Sequence, residues 1–178
     1  MFLFFDYDAH QTNLGKSDDV DVINQMLESF DNETENGKLY ISYPMVEALR
    51  DFEAGKCGNG DNCFVEISDL AEYKNISSRN SLNPHFRDYN IDVWKEIVDV
   101  FSMKISCLLG NAEVISYEQY LDEANPHDIF MCEQALAGNN KVFIISAFPE
   151  FLVDYFGMKL WRTCVKHAKN QLDICNCK

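Results

Sequence analysis

Alternating apolar and polar stretches divide the chain into short strands and amphipathic helices. Apolar, β-prone runs lie at Phe2–Phe5, Lys38–Tyr43 and Lys141–Ser146. Apolar residues at helical spacing predict helices over residues 18–30 and 94–108. Short strands that alternate with helices predict an α/β protein with a small, mainly parallel sheet flanked by helices.

Capping and breaking residues place the remaining helices. These helices are predicted at residues 45–52, from Ser116 in a capping box, from Pro126 to about Gly138, at 149–156, and at 158–172. Residues 73–90 have no periodicity, which predicts an irregular segment. The short run Phe64–Ile67 fits either an edge strand or the start of a helix.

Length and composition indicate one globular domain. The chain has 178 residues and a hydrophobic fraction of 47%. We expect a strand–helix–strand–helix core at 1–54, a helical excursion at 55–140, and a closing strand with helices at 141–178. The sequence shows neither a run long enough to span a membrane nor a basic leader. These features predict a cytoplasmic protein with reduced cysteines.

The net charge of −14 limits the classes of partner. A general nucleic-acid-binding protein carries a basic footprint, and this chain as a whole does not. The excess of acids is greatest in residues 1–70, so contacts to phosphate are expected from the second half. The same charge also fits docking on a basic partner or selection for solubility.

Two acids follow the first predicted strand. Side chains at positions i and i+2 of a strand share a face, so Asp6 and Asp8 converge at its carboxyl end. In open α/β sheets ligands bind at that edge. Two carboxylates aimed at one point suit Mg²⁺ or Mn²⁺. The alternative is that they cap the next element or begin a turn.

A third acid, Glu47, lies about one turn into the helix that follows the second long strand. If the two strands are parallel neighbours, this helix begins beside Asp6 and Asp8. Three carboxylates with waters would complete a Mg²⁺ site. The alternative is a solvent-facing glutamate in the first turn of a helix, which is common.

The motifs resemble the Toprim-type fold of RloB-like and OLD-like proteins from bacterial anti-phage and abortive-infection systems. The matching residues are Asp6 and Asp8 for the Asp-x-Asp pair, and Ser42, Pro44 and Glu47 for the second motif. The resemblance implies a Mg²⁺- or Mn²⁺-dependent nuclease that cleaves phosphodiesters of DNA or RNA. It also implies an ATPase or other protein partner, and a homo-oligomer is a further option.

In that chemistry Asp6 and Asp8 would hold the metal, and Glu47 would be a further ligand or a general base. His10 would approach a phosphate or leaving group, or be a solvated loop residue. The family also carries a glutamate on a strand before Asp-x-Asp, which is absent here. Three explanations follow: a fragment, a substitute acid, or a non-catalytic acidic binding protein that acts through a partner.

Basic residues and cysteines supply two weaker predictions. The last predicted helix carries a basic face formed by Lys159, Arg162, Lys166 and Lys169. This face would either contact a nucleic-acid backbone or be solvated. The pairs Cys57/Cys63 and Cys175/Cys177 lack the Cys-x-x-Cys spacing of zinc sites, so structural Zn²⁺ is not expected. Cys107, Cys132 and Cys164 fit the core.

Overall fold

The structure, a computed structural model, describes residues 1–7, 17–32, 36–52, 63–81 and 85–166. Over these residues the chain is an α/β protein. The strands are β1 (Phe2–Asp6), β2 (Asp31–Asn32), β3 (Gly37–Ser42), β4 (Phe64–Glu66) and β5 (Lys141–Phe143). The α-helices are α1 (Ser17–Ser29), α2 (Leu70–Asn80), α3 (Ile91–Leu108), α4 (Tyr117–Glu123), α5 (Pro126–Ala137) and α6 (Ala147–Cys164). Short 3-10 helices lie at Val46–Asp51, Ile67–Asp69 and Phe86–Asp88.

The strands form a mixed arrangement. β1 pairs parallel with β3, in a register that runs from Phe2 opposite Lys38 to Asp6 opposite Ser42. β2 pairs antiparallel with β3, and β4 pairs antiparallel with β5. An antiparallel bridge between Tyr43 and Ile145 connects the two sheets through reciprocal N–H···O bonds of 2.7 and 2.9 Å.

The α/β class is therefore confirmed, whereas the sheet is mixed rather than mainly parallel. Only the β1–α1–β3 unit follows the crossover pattern that the alternation of strands and helices predicted. The chain between β4 and β5 contains four helices among the described residues, α2 to α5, yet the two strands meet antiparallel. Pairing between segments so distant in sequence is not readable from local periodicity.

Helices cover both faces of the β1/β3 pair. On one face, α6 places Phe148 5.1 Å from the ring of Phe4 and Phe151 5.8 Å from that of Tyr40. On the other face, α5 places Phe130 6.0 Å from the ring of Tyr7. This alternation follows from the strand period of two, which sends successive side chains to opposite faces.

Several helices differ from their predicted form. Residues 46–51 form a 3-10 helix rather than the α-helix predicted at 45–52. The first part of the segment predicted as irregular, residues 73–80, belongs to α2, whose few buried positions are Leu70, Tyr73 and Ser77. α6, by contrast, is broken at Gly157, where φ is +64° and ψ is −155°, so the break between the two helices predicted at 149–156 and 158–172 is confirmed, and the second segment ends at Cys164. The part of the predicted helix 158–172 beyond residue 166 lies outside the described residues.

Candidate functional site

The carboxyl edge of the β1/β3 pair brings three elements together. Asp6 ends β1 and Ser42 ends β3, directly opposite each other in the parallel register. The backbone N–H of Ala147, at the start of α6, donates to Ser42 Oγ at 3.2 Å. Asp6 shares the strand face of Phe4, which packs on α6, and its carboxylate is exposed. The edge therefore presents an accessible carboxylate beside the first turn of α6.

Glu47 follows this edge in the 3-10 helix but has a different environment. The residue is only 7% exposed, and its Oε1 lies 2.7 Å from Lys74 Nζ. Lys74 comes from α2, and its side chain is 67% exposed. Glu47 is thus neither the solvent-facing glutamate of the alternative interpretation nor a carboxylate open on all sides. A divalent cation at this oxygen would compete with the Lys74 ammonium.

The structure describes only part of the predicted acidic site. Asp8 and His10 lie outside the described residues. Among residues 1–7, 17–32, 36–52, 63–81 and 85–166, no group of three or more His, Cys, Asp or Glu side chains is arranged to hold a metal ion. Asp6 and Glu47 alone do not constitute such a group. The predicted three-acid site therefore depends on Asp8.

The predicted basic face lies away from this edge. Lys159 and Arg162 are exposed on the second half of α6. Lys159 follows the break at Gly157 and is twelve residues from the start of α6 at Ala147. Lys166 follows the helix, and its Nζ lies 3.5 Å from Asp99 Oδ2. Lys169 lies outside the described residues. The exposed pair Lys159 and Arg162 could therefore contact a nucleic-acid backbone only at some distance from Asp6.

Two buried glutamates were not recognised from the sequence. Glu133 on α5 and Glu150 on α6 are 2% and 3% exposed. Glu133 Oε2 accepts from the N–H of Phe143 at 3.0 Å. No described residue hydrogen-bonds Oε1 of either glutamate. The sequence did offer a signal for the burial of Glu133, because its position continues the apolar stripe that Ile129 and Phe130 form on α5.

Burial controls the protonation of these acids. Desolvation raises the pKa of Glu133 well above its ordinary value, against the opposing effect of the Phe143 N–H. Desolvation and the nearby Asp154 raise the pKa of Glu150, while Lys38 lowers it. Burial also raises the pKa of the Tyr43 hydroxyl, and both glutamates add to that shift. Both carboxyls therefore act electrostatically on the buried Tyr43 hydroxyl.

Asp154 lies one helical turn beyond Glu150 and collects several polar partners. It forms an ion pair with Lys38, at the start of β3. The hydroxyls of Tyr40 and Tyr120 donate to its Oδ2 and Oδ1 at 3.1 and 2.9 Å. These contacts tie α6 to β3 and α4, between residues more than 30 positions apart in sequence. The cluster is therefore a structural junction between α6, β3 and α4.

The described cysteines join no group of three or more possible metal ligands, and the groove between α3 and α6 has an apolar lining. Cys63 is buried, and Cys57, Cys175 and Cys177 lie outside the described residues. Cys107 and Cys164 are buried and Cys132 is half-buried, in line with the predicted core positions. The groove has a volume of about 330 Å³ and an apolar lining that includes Trp94, Phe148 and Leu160. Such a lining offers no oxygen donors for Mg²⁺.

Comparisons with protein-family models, with curated proteins and with solved structures found no match to this chain. Among the described residues, no helix is both long enough and apolar enough to cross a bilayer. The assignment of function therefore depends on the residues themselves.

Proposed function

We propose that this chain is a Mg²⁺- or Mn²⁺-dependent nuclease, or the nuclease subunit of a bacterial anti-phage system, with a Toprim-like arrangement of its acidic residues. The observation that carries the proposal is the parallel β1/β3 register, which sets Asp6 beside Ser42 at the carboxyl edge. Glu47 follows that edge five residues after Ser42. This is the region where open α/β sheets bind ligands.

The donor set at this edge suits a hard divalent cation. Asp6 is an exposed carboxylate, and Glu47 already binds a positive charge through the ammonium of Lys74. Asp6, Asp8 and Glu47 would hold the metal, with only oxygen donors. When bound, Mg²⁺ or Mn²⁺ would polarise a phosphate and lower the pKa of a water.

The chain's own residues would then orient the substrate. Ser42 is fixed by the N–H of Ala147 and holds the first turn of α6 against β3. This contact joins the start of α6 to the edge at which Asp6 is exposed. Lys159 and Arg162, on the segment of α6 after Gly157, would contact the nucleic-acid backbone outside the reacting phosphate. An ATPase partner remains part of the same proposal.

The test is cleavage of plasmid DNA and of total tRNA in Mg²⁺ or Mn²⁺ at low salt. We expect Asp6→Asn and Asp8→Asn each to lower the cleavage rate by about 100-fold or more, since a metal contributes several kcal/mol to the transition state. Asp31→Asn, at an exposed acid of β2, is the matched control and should cut like wild type. The proposal is wrong if wild type at enzyme excess cuts neither substrate, or if the edge variants cut at the wild-type rate.

A second candidate is the non-catalytic protein that acts through a protein partner. The exposed aromatic side chains of β1 and α6 favour it, because large apolar groups exposed together mark interaction surfaces. The cleavage assay separates the two candidates. A silent wild type whose exposed aromatic side chains still mediate association would support the binding function.

A further inference from the structure

The groove between α3 and α6, called the α3/α6 groove below, is built from one face of α3 and from both segments of α6. On α3 its lining residues recur at helical spacing and are Ile91, Trp94, Lys95 and Val98. On α6, Phe148 and Phe151 line it before the break at Gly157, and Leu160 and Cys164 line it after the break. Gly157 has φ +64° and ψ −155°, a conformation that is essentially restricted to glycine. The shape of the groove therefore depends on a break that the sequence encodes.

The groove has the size of a small-molecule site. Its volume of about 330 Å³ lies at the lower end of the range of about 300–1,000 Å³ for ligand pockets. A cavity of about 150 Å³ holds benzene, so this groove has room for roughly ten to twelve carbon atoms. Its lining follows seven residues of α3, about 10 Å of helix. An elongated apolar ligand therefore fits it better than a compact one.

The groove is open to solvent and lined by side chains that favour apolar contacts. Two of the lining residues, Ile91 and Phe156, are 67% and 55% exposed, so a ligand can enter between them and the buried residues. Val98 and Cys164 are buried at 1% and 3% exposure. Apolar and aromatic walls with few polar groups are typical of ligand pockets.

Charge identifies the polar end of the ligand. Of the described residues that line the groove, only Lys95 is charged. Its Nζ lies 3.2 Å from Asp92 Oδ1, but the two side chains are 46% and 82% exposed, so this ion pair is weak. Asp99, one turn further along α3, is instead bound by Lys166 through its backbone N–H at 2.8 Å and its Nζ at 3.5 Å. A ligand in the groove therefore meets a cation that an anionic group can pair with.

The charge of the whole chain limits what that anion can be. A net charge of −14 repels anions at long range, so a ligand held mainly by its charge is disfavoured. A single carboxylate on a long apolar body is compatible with it, because the apolar part supplies most of the affinity.

We propose that the α3/α6 groove binds a medium-chain fatty acid, a carboxylate with an alkyl chain of about eight to twelve carbons. The alkyl chain lies along the apolar lining, and the carboxylate accepts from the Lys95 ammonium. The lysine stem packs on the apolar surface and its charged end stays in water, as is usual for this side chain. The proposal does not rest on the nuclease function, since neither Asp6 nor Glu47 lines the groove.

The experiment is isothermal titration calorimetry of decanoate, below its micelle concentration, into the whole chain. We expect one molecule to bind per chain with a dissociation constant of about 10–100 μM. Leu160→Trp should weaken binding about ten-fold or more, because the larger side chain takes the place of part of the alkyl chain. Leu121→Trp is its matched control, since Leu121 is 54% exposed on α4 and outside the groove; it should bind like wild type.

Changes at Lys95 test the carboxylate contact, and they keep the test decisive if Leu160→Trp fails to fold. Lys95→Met should weaken decanoate binding about five-fold, the effect of an exposed ion pair, whereas Lys95→Arg should stay within about two-fold of wild type. Lys141→Met is the matched control, because the Lys141 side chain is 45% exposed, pairs with Glu66 and lies on β5. It should leave the affinity unchanged.

Three results would overturn the proposal. The first is a wild type that binds no decanoate up to about 1 mM. The second is a folded Leu160→Trp variant with wild-type affinity, which would place the ligand outside the groove. The third is equal affinity in Lys95→Met and wild type, which would remove the carboxylate contact.

Discussion

Four acids of this protein occupy two contrasting regions, the carboxyl edge of the sheet and the core. At the edge, Asp6 is exposed and Glu47 binds the largely exposed ammonium of Lys74. In the core, Glu133 and Glu150 are 2% and 3% exposed. In each of these two glutamates, Oε1 has no hydrogen-bond partner among the described residues.

The comparison shows that location decides what a carboxyl group can do. Desolvation raises the pKa of Glu133 and of Glu150, so each carries its proton well above the pH at which an exposed glutamate loses it. A protonated carboxyl is a poor ligand for a divalent cation. The raised pKa values make Glu133 and Glu150 poorer candidates for metal ligands than Asp6 and Glu47, which stay the predicted ligands.

Asp154 sharpens the contrast inside the core, because it lies one turn from Glu150 but has partners for both oxygens. We expect Asp154→Ala to lower the free energy of unfolding by about 3 kcal/mol, since it removes the ion-pair partner of the half-buried Lys38 and the carboxylate that accepts from the Tyr40 and Tyr120 hydroxyls. Urea unfolding monitored by circular dichroism measures the loss.

The matched control for this change is Asp122→Ala, at an exposed acid of α4. It should alter the unfolding free energy by less than about 0.5 kcal/mol. If Asp154→Ala costs less than about 1 kcal/mol, the cluster is not a structural junction.

Sequence reasoning succeeded where structure follows from local pattern. The apolar spacing of α3 and the Ser116 capping box, whose reciprocal hydrogen bonds are present, were both predictable. The parallel pairing that sets Asp6 beside Ser42 followed from the β1–α1–β3 unit. That pairing is the part of the candidate site that the sequence could predict.

The missed features depend on distant contacts or on exceptions to the apolar pattern. The Lys38–Asp154 pair joins residues 116 positions apart, and no local signal links them. α2 escaped recognition because polar residues dominate it and one buried position is Ser77. Glu133 occupies a position where the pattern of α5 predicts an apolar side chain. Its hydrogen-bond donor is the N–H of Phe143 on β5, and the sequence pattern of α5 does not reveal that contact.

A smaller change in stability than that of Asp154→Ala is expected when the core acid Glu133 is replaced by a neutral side chain. The raised pKa of Glu133 means that the folded state keeps a proton that the unfolded state releases above about pH 4.5. Stability is therefore lost as pH rises from that value through the folded pKa. Glu133→Gln keeps an acceptor for the Phe143 N–H and cannot ionise, so it should be more stable than wild type at pH 8.

Thermal unfolding at pH 4.5 and pH 8 measures this difference, and each kcal/mol corresponds to about 2–4 °C in Tm for a chain of this size. Residual pH dependence should come from Glu150, Tyr43 and their neighbours. Glu118→Gln is the control with the opposite sign, because the backbone at the start of α4 lowers the pKa of that exposed acid. A Glu133→Gln variant whose Tm falls at pH 8 would contradict the buried, protonated state.

The smallest stability effect is expected at the edge, where Lys74→Met removes the cation from Glu47. Since the Lys74 side chain is 67% exposed, the change should alter the unfolding free energy by less than about 1 kcal/mol. Under the proposed function it also frees a carboxylate oxygen beside the metal ligands, so Mn²⁺ affinity measured by electron paramagnetic resonance should rise several-fold. Lys95→Met, at a lysine whose ion pair with Asp92 lies on α3, should leave both quantities unchanged. An unchanged Mn²⁺ affinity in Lys74→Met would separate Glu47 from the metal site and leave Asp6 and Asp8 as its only predicted ligands.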